Sequence, residues 1–348
     1  MSKYCCTFLL AMNLLVTGGM GFVGSNVARY FIDAGHHVCL FDIRPRELGY
    51  LEEVRNSWRY LRGSVTDLGL LEDAIKKEKP EAIFHAVGGE LSGAYRNFEV
   101  HVTGTANILE AARRHDLYTV ALSSGAIYGQ LDGYDSVAES EPFGPIHPPR
   151  EYDSASASTY AASKRLAEQW MKLYRDLYGL RVACPRLVWV YGPGSEDYQL
   201  QGGVSLMLRK AIAGESLQVP YGGDTLCNLV YVKDVCDAIF KSVASGKSLT
   251  FNVSYEKGYF MKEVAAAVMK TIPGARIELG PGIWPSKGVS IPRHGISMPT
   301  NRHTDISLAK KEIGYHPVYD IDRGVREYAD WMKRNWHLCS PKAVPFVT

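Results

Sequence analysis

Residues 13–24 read NLLVTGGMGFVG, a short apolar strand that runs into a glycine-rich turn. A segment of helical period follows Gly24. In such an arrangement Gly18 permits a tight turn, Gly21 lets the backbone approach a pyrophosphate, and Gly24 lets the helix pack closely on the strand. The helix N-terminus then faces the anion. The position of the glycines between strand and helix favours a phosphate loop over a plain turn.

Apolar runs alternate with longer segments of helical period through the first half of the chain. The expected strands are 13–17, 37–41, 58–61, 82–85, 118–123 and 181–187. The expected helices are 22–34, 68–77, 98–114 and 159–178. Alternation of this kind, with fully apolar strands, predicts an α/β fold with a doubly wound, mainly parallel sheet that is covered by helices on both faces.

The second half is less regular, with loops rich in Gly and Pro at 192–203 and 273–299. Such loops usually shape a substrate pocket. The helical segments expected here are 204–213, 232–245, 259–271, 307–313 and 323–335. We predict a dinucleotide-binding domain over 1–186 and a smaller mixed substrate lobe over 187–348, with some chain crossing back to the first domain.

The charge balance argues against nucleic-acid and membrane partners. The chain has 348 residues, and its 39 Lys and Arg nearly cancel its 37 Asp and Glu, so no field attracts nucleic acid or anionic lipid. No apolar run reaches the length of about 18 residues that a membrane span needs. Residues 4–11 resemble a secretory signal, but they lead directly into the first strand, and Met12 is an alternative start.

The cysteines suggest a reducing compartment. Their number is odd, and their spacing fits no metal site, so we expect buried thiols, a cytoplasmic protein and no metal. The seven cysteines are Cys5, Cys6, Cys39, Cys184, Cys227, Cys236 and Cys339.

Asp42 ends the second strand, eighteen residues after Gly24. A carboxylate here accepts hydrogen bonds from both ribose hydroxyls and repels a 2′-phosphate, which favours NAD over NADP. Arg44 follows two residues later and could pair with that phosphate, so NADP is the alternative cofactor. An ordinary turn residue is the alternative interpretation of Asp42.

Tyr160 and Lys164, in YAASK, are spaced by four residues, so a helix places the phenol and the ammonium on one face. A free phenol has a pKa of about 10, and a nearby cation stabilises the phenolate and brings the group toward a useful range. A surface pair is the alternative, because such spacing is common by chance. Ser124 ends the strand VALSS at the carboxyl edge of the sheet, where it can bind the substrate oxygen that Tyr160 protonates or deprotonates.

Several motifs together resemble the extended short-chain dehydrogenase/reductase family, the NAD-dependent epimerase/dehydratase group. The motifs are TGGMGFVG (17–24), SSGAIYG (123–129), YAASK (160–164), RLVWVYGPG (186–194), LVYVKDV (229–235) and DISLAKKEIGY (305–315). The resemblance covers nearly the whole chain. It implies a Rossmann sheet with a smaller mixed α/β substrate lobe, hydride transfer at a secondary alcohol or ketone of a small molecule, and a homodimer.

The resemblance also implies roles for single residues. Tyr160 is the catalytic acid or base, Lys164 also holds the nicotinamide ribose, and Ser124 orients the substrate. If the ketone turns and is reduced again, the net reaction is epimerisation, whereas release of the ketone makes it dehydrogenation. A non-catalytic NAD-binding regulator is the alternative from another class, although it would be expected to lack Tyr160 or Lys164. The implied cofactor contacts are Gly18, Gly21, Phe22, Val23, Gly24, Asp42, Ser64, Val65, Ala86, Gly88, Tyr160 and Lys164.

Departures from the relatives bear on the substrate. Gly125 and Ala126 stand where 4,6-dehydratases of the family carry an Asp-Glu pair, so dehydration by that route is disfavoured. Trp189 stands where nucleotide-sugar epimerases carry an asparagine, and Cys227 where an arginine grips the diphosphate. We therefore predict a substrate other than a standard UDP-hexose. A nucleotide-sugar 4-epimerase is the alternative.

Further departures and loop residues leave two interpretations each. Ser64 replaces an aspartate that accepts from adenine, and His101 replaces a common asparagine; each is either drift or a sign of an unusual substrate. Arg293 is expected to join Trp189 at the substrate. Residues 130–158 are either a lid or a surface insertion. Three further residues are either substrate contacts or ordinary polar loop residues. They are Glu90, His294 and His303.

Overall fold

A computed structural model of the chain describes most of its length. The described residues are 11–46, 48–88, 93–129, 136–144, 146, 155–195, 203–283 and 303–339. The strands in chain order are β1 (Asn13–Thr17), β2 (His37–Asp42), β3 (Trp58–Arg62), β4 (Ala82–His85), β5 (Tyr118–Ala121), β6 (Ser123–Ser124), β7 (Ser136–Val137), β8 (Val182–Leu187), β9 (Trp189–Tyr191), β10 (Ser216–Val219), β11 (Leu226–Cys227), β12 (Leu229–Tyr231), β13 (Thr250–Val253), β14 (Tyr259–Phe260), β15 (Arg276–Leu279) and β16 (His303–Thr304).

Helices separate most of these strands. The α-helices are α1 (Phe22–Asp33), α2 (Gly49–Glu52), α3 (Leu68–Glu78), α4 (Ala94–Asn97), α5 (Gly104–His115), α6 (Ala155–Tyr178), α7 (Val204–Ile212), α8 (Val232–Ser245), α9 (Met261–Thr271), α10 (Ser307–Ile313), α11 (Ile321–Arg334) and α12 (Trp336–Cys339). Two short 3₁₀ turns lie at Arg55–Ser57 and Gly125–Tyr128, and a π-helical turn at Phe98–Thr103 joins α4 to α5.

The main sheet has the strand order β3-β2-β1-β4-β5-β8-β13, with β6 paired beside β8. Every pairing in it is parallel. The central strands are fully buried because helices cover both faces. The strand order reverses between β1 and β4, which is where ligands bind in such sheets. The predicted doubly wound, mainly parallel sheet is confirmed.

Alternating side chains of β1 divide between two cores. Leu14 and Val16 face one side of the sheet, in a cluster with Phe31 of α1 and Ile239 of α8. Leu15 faces the other side, in a cluster formed with α3, α5 and α6. Both faces of the sheet are therefore sealed, and its carboxyl edge is left to bind ligands.

A third core belongs to a smaller mixed lobe, which is confirmed as predicted. Helices α7, α9 and α11 pack around the paired strands β9 and β12, together with β11 and β14. The chain also crosses back, because β13 adds a strand to the main sheet and α8 packs on α1. The domain boundary at residue 187 remains a prediction.

Some expected elements differ from the structure. The helix expected over 98–114 begins earlier, at Ala94, and includes the π turn. The helix that carries YAASK begins at Ala155, so Tyr160 lies in its second turn rather than opening it. The strand expected over 118–123 ends at Ala121, and the two serines pair separately with β8.

The expected loop over 273–299 was also wrong in part. It contains β15, which pairs in parallel with β10 and buries Ile277 in the core of the second lobe. Likewise, the helix expected from residue 259 begins at Met261, because Tyr259 and Phe260 pair with β11. Such short strands depend on partners far away in the sequence, which local periodicity does not reveal.

The described cysteines are buried and free, as expected for structural thiols. They are Cys39, Cys184, Cys227, Cys236 and Cys339. Cys5 and Cys6 lie outside the described residues. Among the described helices, none has the length and apolar character that a membrane crossing requires.

Candidate active site

The glycine turn after β1 is shaped by close backbone contacts. Gly18 has a φ of +69°, and a methyl group on it would lie 2.8 Å from the amide nitrogen of Val87. A methyl group on Gly24 would lie 2.2 Å from the carbonyl oxygen of Gly18. Helix α1 therefore packs against the glycine turn itself, and neither position accepts a side chain without a backbone shift.

Gly21 precedes α1, and its amide donates to the carbonyl oxygen of Gly18 at 3.0 Å. Phe22 and Val23 form the first turn of the helix, with Phe22 buried. The N-terminus of this 12-residue helix thus meets the glycine turn, and its amide groups provide the positive end of a helix dipole.

Asp42 lies beside the same turn. Its Oδ2 accepts from the amide of Met20 at 3.0 Å, and its Oδ1 accepts from the amide of Ile43 at 2.7 Å. The carboxylate is therefore held between the carboxyl end of β2 and the glycine turn. Arg44 is exposed.

The turns after β3 and β4 complete this edge of the sheet. The Ser64 hydroxyl lies 2.8 Å from that of Thr66 and also accepts from the Thr66 amide at 3.2 Å. Val65 is buried, and its carbonyl oxygen accepts from Asn107. The amide of Ala86 donates to the carbonyl oxygen of Thr17 at 2.9 Å, which brings the turn after β4 against the glycine turn.

Tyr160 and Lys164 lie one turn apart on α6. The ammonium of Lys164 donates to the carbonyl oxygen of Leu122 at 3.1 Å and lies 5.9 Å from the centre of the Tyr160 ring. Burial lowers the pKa of Lys164 to about 8. A methyl group on Gly88 would come within 2.9 Å of this ammonium, so the turn after β4 reaches Lys164 as well.

Ser124 is half-buried at the end of β6. Its Oγ accepts from the amide of Ala126 at 3.2 Å and caps the turn that follows. Because Leu122, which binds Lys164, is only two residues before Ser124, the strand end and α6 meet at the same point of the sheet edge. The structure therefore brings the three predicted catalytic residues to neighbouring elements at the carboxyl edge.

Two buried histidines adjoin this region. His101, in the π turn, lies edge-to-face with Tyr160, with 5.3 Å between ring centres. His85 ends β4, and its ring nitrogens lie 2.8 Å from the Thr17 hydroxyl and 3.3 Å from the Thr105 hydroxyl. Burial, with the charges of Lys164 and His101, lowers the pKa of His85 to about 3, so this ring is neutral.

Our sequence reasoning missed the contact of His101 with Tyr160 and treated His101 only as a departure. It also missed Glu168, which is buried and accepts a hydrogen bond from Ser123 at 2.8 Å. The signal was present, since Glu168 follows Lys164 by four residues and so shares its helix face.

The predicted substrate residues are only partly described. Trp189 is half-buried in β9, where its amide donates to the Asn228 carbonyl oxygen at 3.2 Å. Cys227 is buried, and burial raises the pKa of its thiol to about 12, so it is neutral. Arg293, Glu90 and His294 lie outside the described residues, as do the His303 side chain and much of 130–158.

A cavity of about 390 Å³ is lined in part by residues of α6 and β8. It contains none of the predicted cofactor or catalytic residues, so the sheet edge rather than this cavity is the candidate active site. Its lining residues include Glu139, Phe143, Glu168, Arg175, Arg186 and Thr250.

Residues 14–254 match the description "NAD dependent epimerase/dehydratase family". The chain belongs to this family. The predicted resemblance is thereby confirmed, and the protein is an enzyme of the extended short-chain dehydrogenase/reductase type with NAD as its cofactor.

Relatives in the epimerase/dehydratase family match over most of their length. A putative UDP-glucose 4-epimerase of Methanocaldococcus jannaschii is 27% identical in an alignment that covers 92% of this chain and 99% of that protein. A dTDP-glucose 4,6-dehydratase of Haemophilus influenzae is 26% identical in an alignment that covers 92% of this chain and 97% of that protein. The family thus includes relatives with different reactions, and membership alone does not identify the substrate.

Solved structures share the fold of this chain. A UDP-glucose 4-epimerase from Thermotoga maritima with UDP-glucose superposes with a TM-score of 0.77 at 21% identity, covering 93% of this chain and all of that chain. A dTDP-glucose 4,6-dehydratase from Bacillus anthracis in complex with NAD gives 0.76 at 23% identity, covering 94% and 98%.

Proposed function

We propose that this enzyme uses NAD to oxidise a secondary alcohol of a small molecule, or NADH to reduce the corresponding ketone, with Tyr160 as the acid or base. The observation that carries the proposal is the meeting of α6 and the end of β6. There the phenol of Tyr160, the buried ammonium of Lys164 and the hydroxyl of Ser124 lie on adjoining elements.

The glycine turn fits a dinucleotide. Its positions 18 and 24 have no room for a side chain, so backbone amides and the N-terminus of α1 form the surface that a pyrophosphate would contact. Asp42 would hold the adenosine ribose, and its carboxylate favours NAD over NADP. The turns at Ser64 and Val65, and at Ala86 and Gly88, line the same edge and would contact the rest of the cofactor.

The oxidised cofactor, NAD⁺, would supply the hydride acceptor for the alcohol carbon, and NADH would supply the hydride donor for the ketone. Tyr160 removes the hydroxyl proton during oxidation and returns a proton during reduction. The Lys164 ammonium stabilises the phenolate that Tyr160 needs as a base. Ser124 donates a hydrogen bond to the substrate oxygen and holds it beside Tyr160.

We propose that the substrate is not a standard UDP-hexose. The support is local: a neutral, buried Cys227 replaces the arginine expected to grip a diphosphate, and Trp189 replaces an asparagine. The second candidate is a nucleotide-sugar 4-epimerase, which the full-length match to the putative UDP-glucose 4-epimerase favours. A panel of UDP-glucose, UDP-galactose, dTDP-glucose and galacturonic acid, tested for binding and turnover, separates the two. Micromolar binding of UDP-glucose or UDP-galactose would contradict the first candidate, and interconversion of the two sugars would support the second.

Replacement of Tyr160 by Phe tests the chemistry. We expect turnover of any active panel member to fall at least about 10²-fold, because the group that carries the proton is lost. NAD affinity should change little, because the rest of the side chain is kept. Tyr174→Phe is a matched control, since Tyr174 lies further along the same helix and donates to Glu110 instead. Undiminished turnover by the Tyr160 variant would refute the mechanism.

The net reaction can be distinguished by the fate of the cofactor. An epimerase must retain NAD through both half-reactions, so NAD purified with the protein in stoichiometric amount supports epimerisation. Exchange with free NADH supports a dehydrogenase or reductase.

We also propose a homodimer formed through α6. Four large apolar side chains, spaced by three and four residues, form an exposed stripe on that helix. They are Leu166, Trp170, Leu173 and Leu177. Exposed apolar stripes of this kind mark contact surfaces, so Leu173→Glu should convert the dimer into a monomer in light scattering.

A further inference from the structure

One face of α6 carries three functional groups at intervals of four residues. Tyr160, Lys164 and Glu168 follow one another along this face. Lys164 donates to the Leu122 carbonyl oxygen at 3.1 Å, and Glu168 accepts from the Ser123 hydroxyl at 2.8 Å. The helix that carries the phenol is therefore bonded to the two residues that directly precede Ser124.

The carboxylate of Glu168 is itself held by Arg186. The guanidinium contacts both carboxylate oxygens, with Nε 3.2 Å from Oε2 and Nη2 bonded to Oε1. Glu168 is 5% exposed and Arg186 is 4% exposed. Arg186 lies on β8 directly opposite Ser123 in the parallel pairing. A buried ion pair is stable only when its geometry and remaining hydrogen bonds are satisfied, and Ser123 supplies one of those bonds.

Arg186 also contacts the last residue of the serine turn, a name used here for residues 122–128. Arg186 Nη1 donates to the Tyr128 hydroxyl at 2.9 Å, and that hydroxyl donates to Asn252 at 2.6 Å. Arg165 of α6 donates to the carbonyl oxygen of Ile127 at 2.7 Å. The serine turn is thus attached to α6 and β8 both before and after Ser124.

Rigid attachment matters because Ser124 and Tyr160 are to bind one substrate oxygen from different elements. A displacement of about 1 Å between such groups can cost about 10²-fold in rate. The hydrogen bonds between α6 and the serine turn link the two elements close to Ser124, so they help to fix this separation.

We infer that Glu168 and Arg186 are positioning residues, which act through Ser123 to set the separation of Ser124 from Tyr160. The inference deepens the proposed function and rests on it. A pair that only stabilised the fold would lower the unfolding temperature without a specific dependence on Ser124. The two roles therefore differ in an observable way.

Ser123→Ala is the most direct variant, because it removes the hydroxyl and leaves the ion pair in place. With the panel compound that the wild type turns over fastest, we expect kcat to fall about tenfold or more, with KM and NAD affinity nearly unchanged. In a Ser124→Ala background, the same substitution should cost almost nothing further, because the group that it positions is already absent. Thr119→Val is the control, since it removes a buried hydroxyl near the other end of β5.

Three outcomes would overturn the inference. They are an unchanged kcat in Ser123→Ala, a loss of equal size with and without Ser124, and a loss confined to KM. Glu168→Gln adds a conservative variant that keeps the size of the side chain, and we expect it to resemble Ser123→Ala in kcat if it folds. If Glu168→Gln does not fold, Ser123→Ala alone tests the inference.

A crystal structure of the Ser123→Ala variant with NAD provides a test that needs no substrate. We expect the Ser124 hydroxyl and the Tyr160 hydroxyl to lie at a different separation from the wild type, and an unchanged separation would contradict the inference. If Tyr160→Phe retains turnover, the proposed function itself fails. If Tyr160→Phe and Ser124→Ala abolish turnover but Ser123→Ala does not, only the positioning role fails.

Discussion

The proposed dinucleotide edge and the proposed substrate edge of this enzyme differ in the groups that determine their shape. The proposed dinucleotide edge, at the ends of β1, β2 and β4, is formed mainly by backbone, with glycines where a methyl group would collide. The proposed substrate edge, around Trp189 and Cys227, is defined by side chains at positions where the sequence predicts a departure from the family. Backbone geometry tolerates little change, whereas side chains can be exchanged to fit a new substrate. Variants of each edge should therefore affect different ligands.

The largest effect is expected at Gly24, on the dinucleotide edge. Gly24→Ala places a methyl group 2.2 Å from the Gly18 carbonyl oxygen, so the glycine turn must move. We expect NAD affinity to fall by about 10²-fold or more, measured by calorimetry. Gly69→Ala is the control, because its methyl group would lie 3.3 Å from the nearest atom, a carboxylate oxygen of Asp67. If Gly24→Ala kept its NAD affinity, the shape of the glycine turn would not control dinucleotide binding.

Lys164 should make stability depend on pH. Burial lowers its pKa from 10.5 to about 8. Below pH 8 the folded and unfolded chains both carry the proton, and the cost of burying the charge is fully present. Between about 8 and 10.5 the unfolded chain binds more protons, so stability rises with pH.

Relative to Lys164→Met, we therefore expect the wild type to gain up to about 3 kcal/mol in its free energy of unfolding between pH 7 and pH 10.5. Urea unfolding of both proteins without NAD at the two pH values measures the gain. A difference between the proteins that stays constant with pH would show that the ammonium is not desolvated.

Trp189→Ala tests the substrate edge. The indole is half-buried at the edge of the third core, which belongs to the smaller lobe. If it contacts substrate, its removal should raise KM about tenfold for the active panel compound and leave NAD affinity unchanged, because apolar contact area is lost at one edge only. A change confined to NAD affinity would show that Trp189 belongs to the dinucleotide edge instead.

Asp42→Asn should have the smallest effect. Asparagine keeps the bond from Met20 but removes the negative charge. We expect the preference for NAD over NADP to fall about fivefold, since a charge-assisted hydrogen bond becomes a neutral one and repulsion of a 2′-phosphate is lost. Competition binding of the two cofactors measures the ratio, and an unchanged ratio would favour the interpretation of Asp42 as a turn residue.

Much of the dinucleotide edge could be predicted from sequence because its signals are local. β1 and β4 begin and end where the apolar runs do, and Gly18 has the positive φ that a tight turn requires. The sequence also placed Tyr160 and Lys164 on one helix, although the helix begins five residues before Tyr160. Local periodicity is reliable where burial is continuous along a segment.

The features that escaped prediction depend on contacts between distant segments. The π turn brings His101 against Tyr160, which is 59 residues away in sequence, and periodicity carries no sign of such a turn. The pairing of Glu168 with Arg186 requires α6 to lie over β8, which is known only once the sheet order is known. Short strands such as β15 likewise exist only because a partner is present.

The return of β13 to the main sheet limits how this enzyme can be divided. A fragment ending near residue 187 would lack the strand that covers β8 and the helix that packs on α1. It would expose the unpaired edge of β8, and such edges are prone to pair with other chains. Such a fragment is therefore not expected to fold as an independent domain, and an exchange of the smaller lobe between relatives would have to leave β13 and α8 in place.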